Sequence, residues 1–134
     1  MKDVLVDSSV LIDVLLRDEK WFEWSSAALA AAGNEDELVI NPVIYAEVSV
    51  RYKSTEDLDR VLPPRLYRRD ELPYPAAFLA GRAFVKYRRQ NGSRTSPMPD
   101  FYVGAHAEVS NFRVLTRDPR RIRRYFPSVE LISP

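Results

Sequence analysis

Short apolar runs alternate along this chain with longer stretches whose apolar residues recur at helical spacing. DVLVD (3–7) is β-branched and of strand length, and it predicts a buried strand. Ser8 and Ser9 follow, and VLIDVLL then predicts a helix opening directly from that strand. KWFEWSSAALAAAG (20–33) is helical in pattern, with Gly33 as its expected C-terminal stop. LVI (38–40) predicts a second strand. Asn41-Pro42 then opens a helix over VIYAEVSVRYK, because Asn is a favoured N-cap and Pro suits the first helical position. Glu47 falls in the second turn of that helix.

Residues 54–62 predict a short polar helix that Pro63-Pro64 ends. RLYRRDELP holds a weak strand. Residues 74–92 predict a long helix with an exit at Asn91-Gly92, and PDFYVGAHAEVS (99–110) predicts another. FRVLT (112–116) is a strand, PRRIRRYF a short helix with Asp118 as its expected cap, and VELI (129–132) a last strand. Strands alternating with helices imply an α/β fold with a parallel sheet covered on both faces. Ligands of such sheets sit past the carboxyl ends of the strands.

At 134 residues the chain suits one domain, taken as 1–134. It has no cysteine, which excludes disulfides, thiolate metal sites and thiol nucleophiles. No apolar run nears the roughly 20 residues of a membrane span, and no export-type segment is expected, which points to the cytoplasm. The net charge of +1 conceals a division. Residues 1–62 carry 6 basic and 13 acidic side chains, whereas residues 63–134 carry 14 basic and 6 acidic. Such a split is compatible with polyanion binding on one surface and carboxylate clustering on another, and equally with solvated helix faces of opposite sign.

The acids supply the candidate chemistry. Asp7 ends the first strand, Glu47 lies in the helix after the second, Asp100 begins the helix before FRVLT, and Asp118 follows FRVLT. All four are expected at one sheet edge. Carboxylates converging there repel one another, and a divalent cation relieves the conflict. Each also has a plain alternative: Asp7, Asp100 and Asp118 as helix caps or first-turn acids, Glu47 as an exposed helix residue. Asp13, in LIDVLL, is expected as a hydrogen-bonding partner rather than a ligand. His106 is the only histidine. It lies about 240° around its helix from Asp100, so a packing or surface role is expected rather than catalysis. Gly104 lies within about 40° of Asp100 and allows a close approach to that helix face.

The blocks VLVDSSVLID, INPVIYAEV, MPDFYVGAHA and VLTRDPRRIRRYFPSVELISP together resemble the PIN-domain ribonucleases, in particular VapC-type toxins of type II toxin–antitoxin pairs. The resemblance runs from about residue 3 to the C-terminus. It implies a three-layer α/β/α PIN-like fold with a central parallel sheet. It also implies an endoribonuclease that hydrolyses RNA phosphodiesters with water activated at a carboxylate-bound Mg²⁺ site, or Mn²⁺ in its place. A homodimer and a cognate antitoxin protein are the implied partners. Carried over by position, the family's acids match Asp7, Glu47, Asp100 and Asp118, as catalytic residues and metal ligands, and Thr116 matches a polar position near the site. Arg120, Arg121, Arg123 and Arg124 then become candidates for phosphate contacts, with antitoxin pairing and simple solvation as alternatives. Neutralising those four arginines is expected to leave metal affinity unaltered, apart from crosstalk between Arg120 and Asp118. Tyr87, Arg88 and Arg89 carry the same ambiguity.

A non-catalytic PIN-fold module that binds RNA or protein is the competing reading, which the intact acid set disfavours. A phosphatase with Asp7 as nucleophile would want a second Asp where Ser9 stands, and a receiver domain would want a late lysine, absent after Lys86.

Overall fold

The computed structural model describes residues 2–134. Its elements follow the expected order: β1 (Val4–Val6), α1 (Ser8–Leu15), α2 (Phe22–Glu35), β2 (Leu38–Ile40), α3 (Pro42–Ser49), α4 (Thr55–Val61), β3 (Tyr67–Arg69), α5 (Tyr74–Arg89), α6 (Pro99–Ser110), β4 (Arg113–Leu115), α7 (Arg120–Tyr125) and β5 (Leu131–Ile132). The strands form one sheet in the order β3-β2-β1-β4-β5. Every neighbouring pair is parallel.

Successive residues of a strand face opposite sides of its sheet. Val4, Leu5 and Val6 are all fully buried, so β1 is covered on both faces. That is the burial a central parallel strand requires, and it explains an apolar run with no alternation. The chain steps outward through β1, β2 and β3, returns past β1 to β4, and steps outward again to β5. The direction of winding therefore reverses between β1 and β4, the switch point at which open α/β sheets form their crevice. Asp7 leaves β1 there, and its amide donates to Leu115 O of β4 at 2.9 Å.

The caps explain where several helices begin. Asn41 accepts the Ile44 amide on Oδ1 at 2.9 Å, with Pro42 behind it, as its sequence signal requires. With Oδ1 so used, the Asn41 amide nitrogen donates to His106 Nδ1, 3.0 Å away. His106 is buried, and desolvation lowers its pKa, so it is a neutral packing residue that ties α6 to the start of α3. Ser54 caps α4 by accepting the Asp57 amide.

Three expectations need correction. Gly33 does not stop α2, which continues to Glu35 and closes with the Asp36 amide on Ala32 O. A Cβ at position 33 would lie 3.3 Å from Leu38, so the glycine allows close helix–strand packing instead. α3 ends at Ser49 rather than near Lys53. Val50 is 80% exposed and has no core to cover, and the chain leaves through bonds from Arg51 to Val48 O and from Tyr52 to Ser49 O. Asp118 does not cap α7: the cap position is Pro119, with no side-chain bond.

Gly104 is required by its neighbour. A Cβ there would stand 2.3 Å from Phe126 Cδ2, on a ring that is itself buried against α6. Phe126 closes α7, so this contact fixes where the Arg-rich helix sits. Gly104→Ala is expected to destabilise the protein by about 1–3 kcal/mol through overpacking, despite the better helix propensity of alanine. Urea unfolding of both forms checks it, and a variant at least as stable as the wild type would contradict this packing.

Candidate active site

The site begins with Asp7, 7% exposed at the carboxyl end of β1. Although it occupies the cap position of α1, its side chain makes no cap bond. Instead Ser9 Oγ donates to its Oδ2 at 2.8 Å, and Thr116 Oγ1 donates to the same oxygen at 2.9 Å. Both hydroxyls are held in that sense by their other bonds. Ser9 Oγ accepts the Arg117 amide, and Thr116 Oγ1 accepts the Asp118 amide. Asp7 Oδ1 takes no side-chain hydrogen bond among the described residues.

Glu47 projects from α3 and accepts Ser8 Oγ on Oε1 at 2.9 Å. Asp100 lies in the first turn of α6 and meets Arg121 Nη1 at 3.2 Å. Burial is the largest cause raising the pKa of each of Asp7, Glu47 and Asp100. Neighbouring carboxylates add to this at Glu47 and Asp100. Asp7 and Asp100 raise Glu47, and Asp7 and Asp118 raise Asp100, against the lowering effect of Arg121. The structure therefore brings Asp7, Glu47 and Asp100 within electrostatic reach of one another, from three separate elements. Asp118 is more peripheral: it is exposed and pairs with Arg120 Nε at 3.3 Å.

Asp13 plays the hydrogen-bonding part expected of it. Arg117 grips its two oxygens at 2.9 and 3.0 Å, and Ser25 adds a third bond at 2.8 Å. That pair, with Asp13 buried and Arg117 partly exposed, anchors the loop after β4, which carries Thr116 and Asp118. Breaking one partner of such a pair leaves a buried charge uncompensated.

Beside Asp100 an open cleft of about 310 Å³ is lined by Tyr87, Asp118, Arg120, Arg121, Arg124 and Tyr125 as well. The four arginines of α7 do not act alike. Arg121 meets Asp100, Arg120 meets Asp118, Arg124 donates to Gln90, and Arg123 faces Ser133 away from the cleft walls. Neutralising all four is expected from the sequence to leave metal affinity unaltered apart from crosstalk at Asp118; in the structure Arg121 contacts Asp100 and Arg120 contacts Asp118. Arg88 spends its donors on Gly92 O and Arg94 O, holding the loop after α5.

Among the described residues no three Asp, Glu or His side chains close into a ready coordination sphere. The donor set nonetheless suits a hard divalent cation: its members are carboxylate oxygens, they repel one another, and Asp7 Oδ1 takes no side-chain hydrogen bond among the described residues.

The family model for the PIN domain matches residues 4–126. The chain belongs to the PIN domain family. Comparison with curated protein sequences gives no significant match. Among solved structures, it resembles VapBC-1 from nontypeable Haemophilus influenzae, with a TM-score of 0.72 at 14% identity over 97% of this chain and 96% of that one. VapBC2 from Rickettsia felis, bound to a DNA fragment from its promoter, gives 0.70 at 12% identity over 97% of each chain. A toxin–antitoxin complex from Klebsiella pneumoniae gives 0.66 at 18% identity over 89% of each. At such identities the likeness is one of fold.

In this PIN domain, sequence reasoning passed over Ser8, Ser9 and Arg117. The two serines read as helix-start residues, which they are. Their hydroxyls face Glu47 and Asp7 only because α1 leaves β1 without a loop. Arg117 stands between Thr116 and Asp118 in LTRD, and nothing local in the sequence points to Asp13.

A raised carboxyl pKa means the folded state holds the proton more tightly than the unfolded one. Ionisation of Glu47 thus opposes folding, an effect absent below about pH 4 and growing as pH rises through the raised value. Glu47→Gln keeps an acceptor for Ser8 and removes the charge. In chelator at pH 7 it is expected to melt higher than wild type, by no more than about 4 °C, with the gap closing towards pH 4. A lower melting temperature at pH 7 would contradict the repulsion.

Proposed function

We propose that this PIN domain is a metal-dependent endoribonuclease and the toxin of a toxin–antitoxin pair. The carrying observation is the set of acids Asp7, Glu47 and Asp100, brought from β1, α3 and α6 to the switch point of a parallel sheet, each with a pKa raised by burial. Asp118 completes the set from its rim. Mg²⁺, or Mn²⁺ in its place, would be held by these carboxylates and would supply charge neutralisation at a phosphodiester and a water of lowered pKa.

The chain's own residues prepare that chemistry. Ser9 and Thr116 donate to one oxygen of Asp7, which favours its ionised form and fixes its rotamer. Ser8 orients Glu47 in the same way. The single histidine is buried in packing, so acid–base work by imidazole has no candidate here. The wall of the cleft formed by Arg120, Arg121 and Arg124 supplies positive charge for RNA phosphates flanking the acids. The toxin assignment, with a cognate antitoxin and a homodimer, is supported by the shared fold of toxin–antitoxin structures. No helix is long and apolar enough to cross a membrane among the described residues, in keeping with a cytoplasmic RNA target.

Asp7→Asn and Asp100→Asn are each expected to lower cleavage of RNA by the purified protein by more than the roughly 10–100-fold typical when a residue that only supports a metal ligand is lost. Both variants should keep the far-UV circular dichroism of the wild type. Wild-type rates in either would remove that residue from the site. Exhaustive chelation is expected to stop cleavage, and Mg²⁺ or Mn²⁺ to restore it. RNA binding without cleavage under any metal condition would favour a non-catalytic module instead.

A further inference from the structure

Arg121 is held more loosely than the other partly buried arginines that hydrogen-bond carboxylates, among them Arg69 and Arg113, whose hydrogen bonds to carboxylates are 2.7 Å. Arg117 grips Asp13 through two bonds of 2.9 and 3.0 Å. Arg68 reaches Asp70, Asp3 and Glu37 through bonds of 2.8, 3.0, 2.8 and 2.9 Å. Arg121 has one contact, from Nη1 to Asp100 Oδ2, at 3.2 Å. That is longer than the ~2.7–2.9 Å usual for charge-assisted bonds. Its remaining donors meet no protein acceptor among the described residues.

The backbone beneath it is fixed. Ile122 and Phe126 are each 1% exposed, and the Phe126 ring lies against Gly104, one turn along α6 from Asp100. The guanidinium is therefore tethered at its base and loosely held at its tip. Both partners are partly solvated, at 39% and 31% side-chain exposure, so the pair is weak. The same side chain lines the cleft beside Tyr87, Arg124 and Tyr125.

Resting on the proposed function, we infer that Arg121 is an exchangeable counter-ion. It neutralises Asp100 while the carboxylates lack a metal, and it passes to an RNA phosphate in the adjoining cleft when a divalent cation takes Asp100. Two cations compete for this carboxylate. Asp7 and Glu47 add their attraction to the divalent ion, whereas Arg121 bonds to Asp100 alone. Once released, its planar fork of donors matches a phosphate. Metal and RNA then favour the same position of Arg121, so each tightens the binding of the other.

Arg124 is the natural control. It faces the same cleft, yet bonds to Gln90 Oε1 at 2.9 Å and to no carboxylate. The test is calorimetric titration with Mn²⁺ alone for wild type, Arg121→Gln, Arg121→Lys and Arg124→Gln. Binding of a short single-stranded DNA oligonucleotide, carrying the same phosphates, is then measured with Mn²⁺ and with EDTA. Arg121→Gln is expected to bind Mn²⁺ about two- to five-fold more tightly, the scale of one exposed ion pair. In Mn²⁺ affinity, Arg121→Lys should fall between it and wild type, and Arg124→Gln, which removes no carboxylate contact, should match wild type. Mn²⁺ should strengthen oligonucleotide binding by wild type, and Arg121→Gln should lose most of that gain. Unchanged Mn²⁺ affinity in Arg121→Gln would overturn the exchange while leaving the metal site standing. Tighter Mn²⁺ binding with the gain retained would overturn the transfer to phosphate. A wild type that binds no Mn²⁺ would overturn the proposed function itself, and this inference with it.

Discussion

Asp7 must carry a carboxylate out of water, at the end of a strand covered on both faces, with Glu47 and Asp100 near enough to repel it. Burial raises its pKa, and the hydroxyls of Ser9 and Thr116 work against that rise. Those hydroxyls are useful only if their own orientations are set, which the amides of Arg117 and Asp118 accomplish. The loop bearing those amides is in turn fixed by the grip of Arg117 on Asp13. A chain of hydrogen bonds thus runs from the Arg117–Asp13 ion pair to one oxygen of Asp7.

The topology supplies the convergence. Because the winding reverses between β1 and β4, the segments leaving both strands arrive side by side, and Asp7 and Thr116 meet although they are 109 residues apart. α3 and α6 bring Glu47 and Asp100 to the same edge, tied together by the Asn41–His106 bond. α7 is positioned by Phe126 on Gly104, which places Arg121 at Asp100 and the basic wall at the cleft. Membership of the PIN domain family and the likeness to solved structures speak to the fold, and the chemistry proposed rests on the acids themselves.

The order of elements was legible in the sequence because each signal was local. Asn41-Pro42 announces a helix start, VLV a buried strand, and the alternation of strands with helices a parallel sheet. Asp7, Asp100 and Asp118 stood out as candidates for the same reason, since each lies at or beside an element boundary, whereas Glu47 sits inside α3. What depended on distant partners was not legible. Gly33 looks like a stop until Leu38 packs on it, and Asp118 looks like a cap until its amide is found on Thr116. The basic run RRIRR reads as one patch, yet its arginines meet Asp118, Asp100, Ser133 and Gln90 in turn. Only the packing of α7 separates them.

Asp7, Glu47 and Asp100 are proposed to form one divalent-cation site. Anomalous diffraction from a crystal grown with Mn²⁺ addresses it directly. A peak within ligand distance of oxygens from at least two of these carboxylates is the expected result, and it should vanish in Asp7→Asn crystals. Fully occupied Mn²⁺ elsewhere on the molecule, with no peak among these acids, would contradict it.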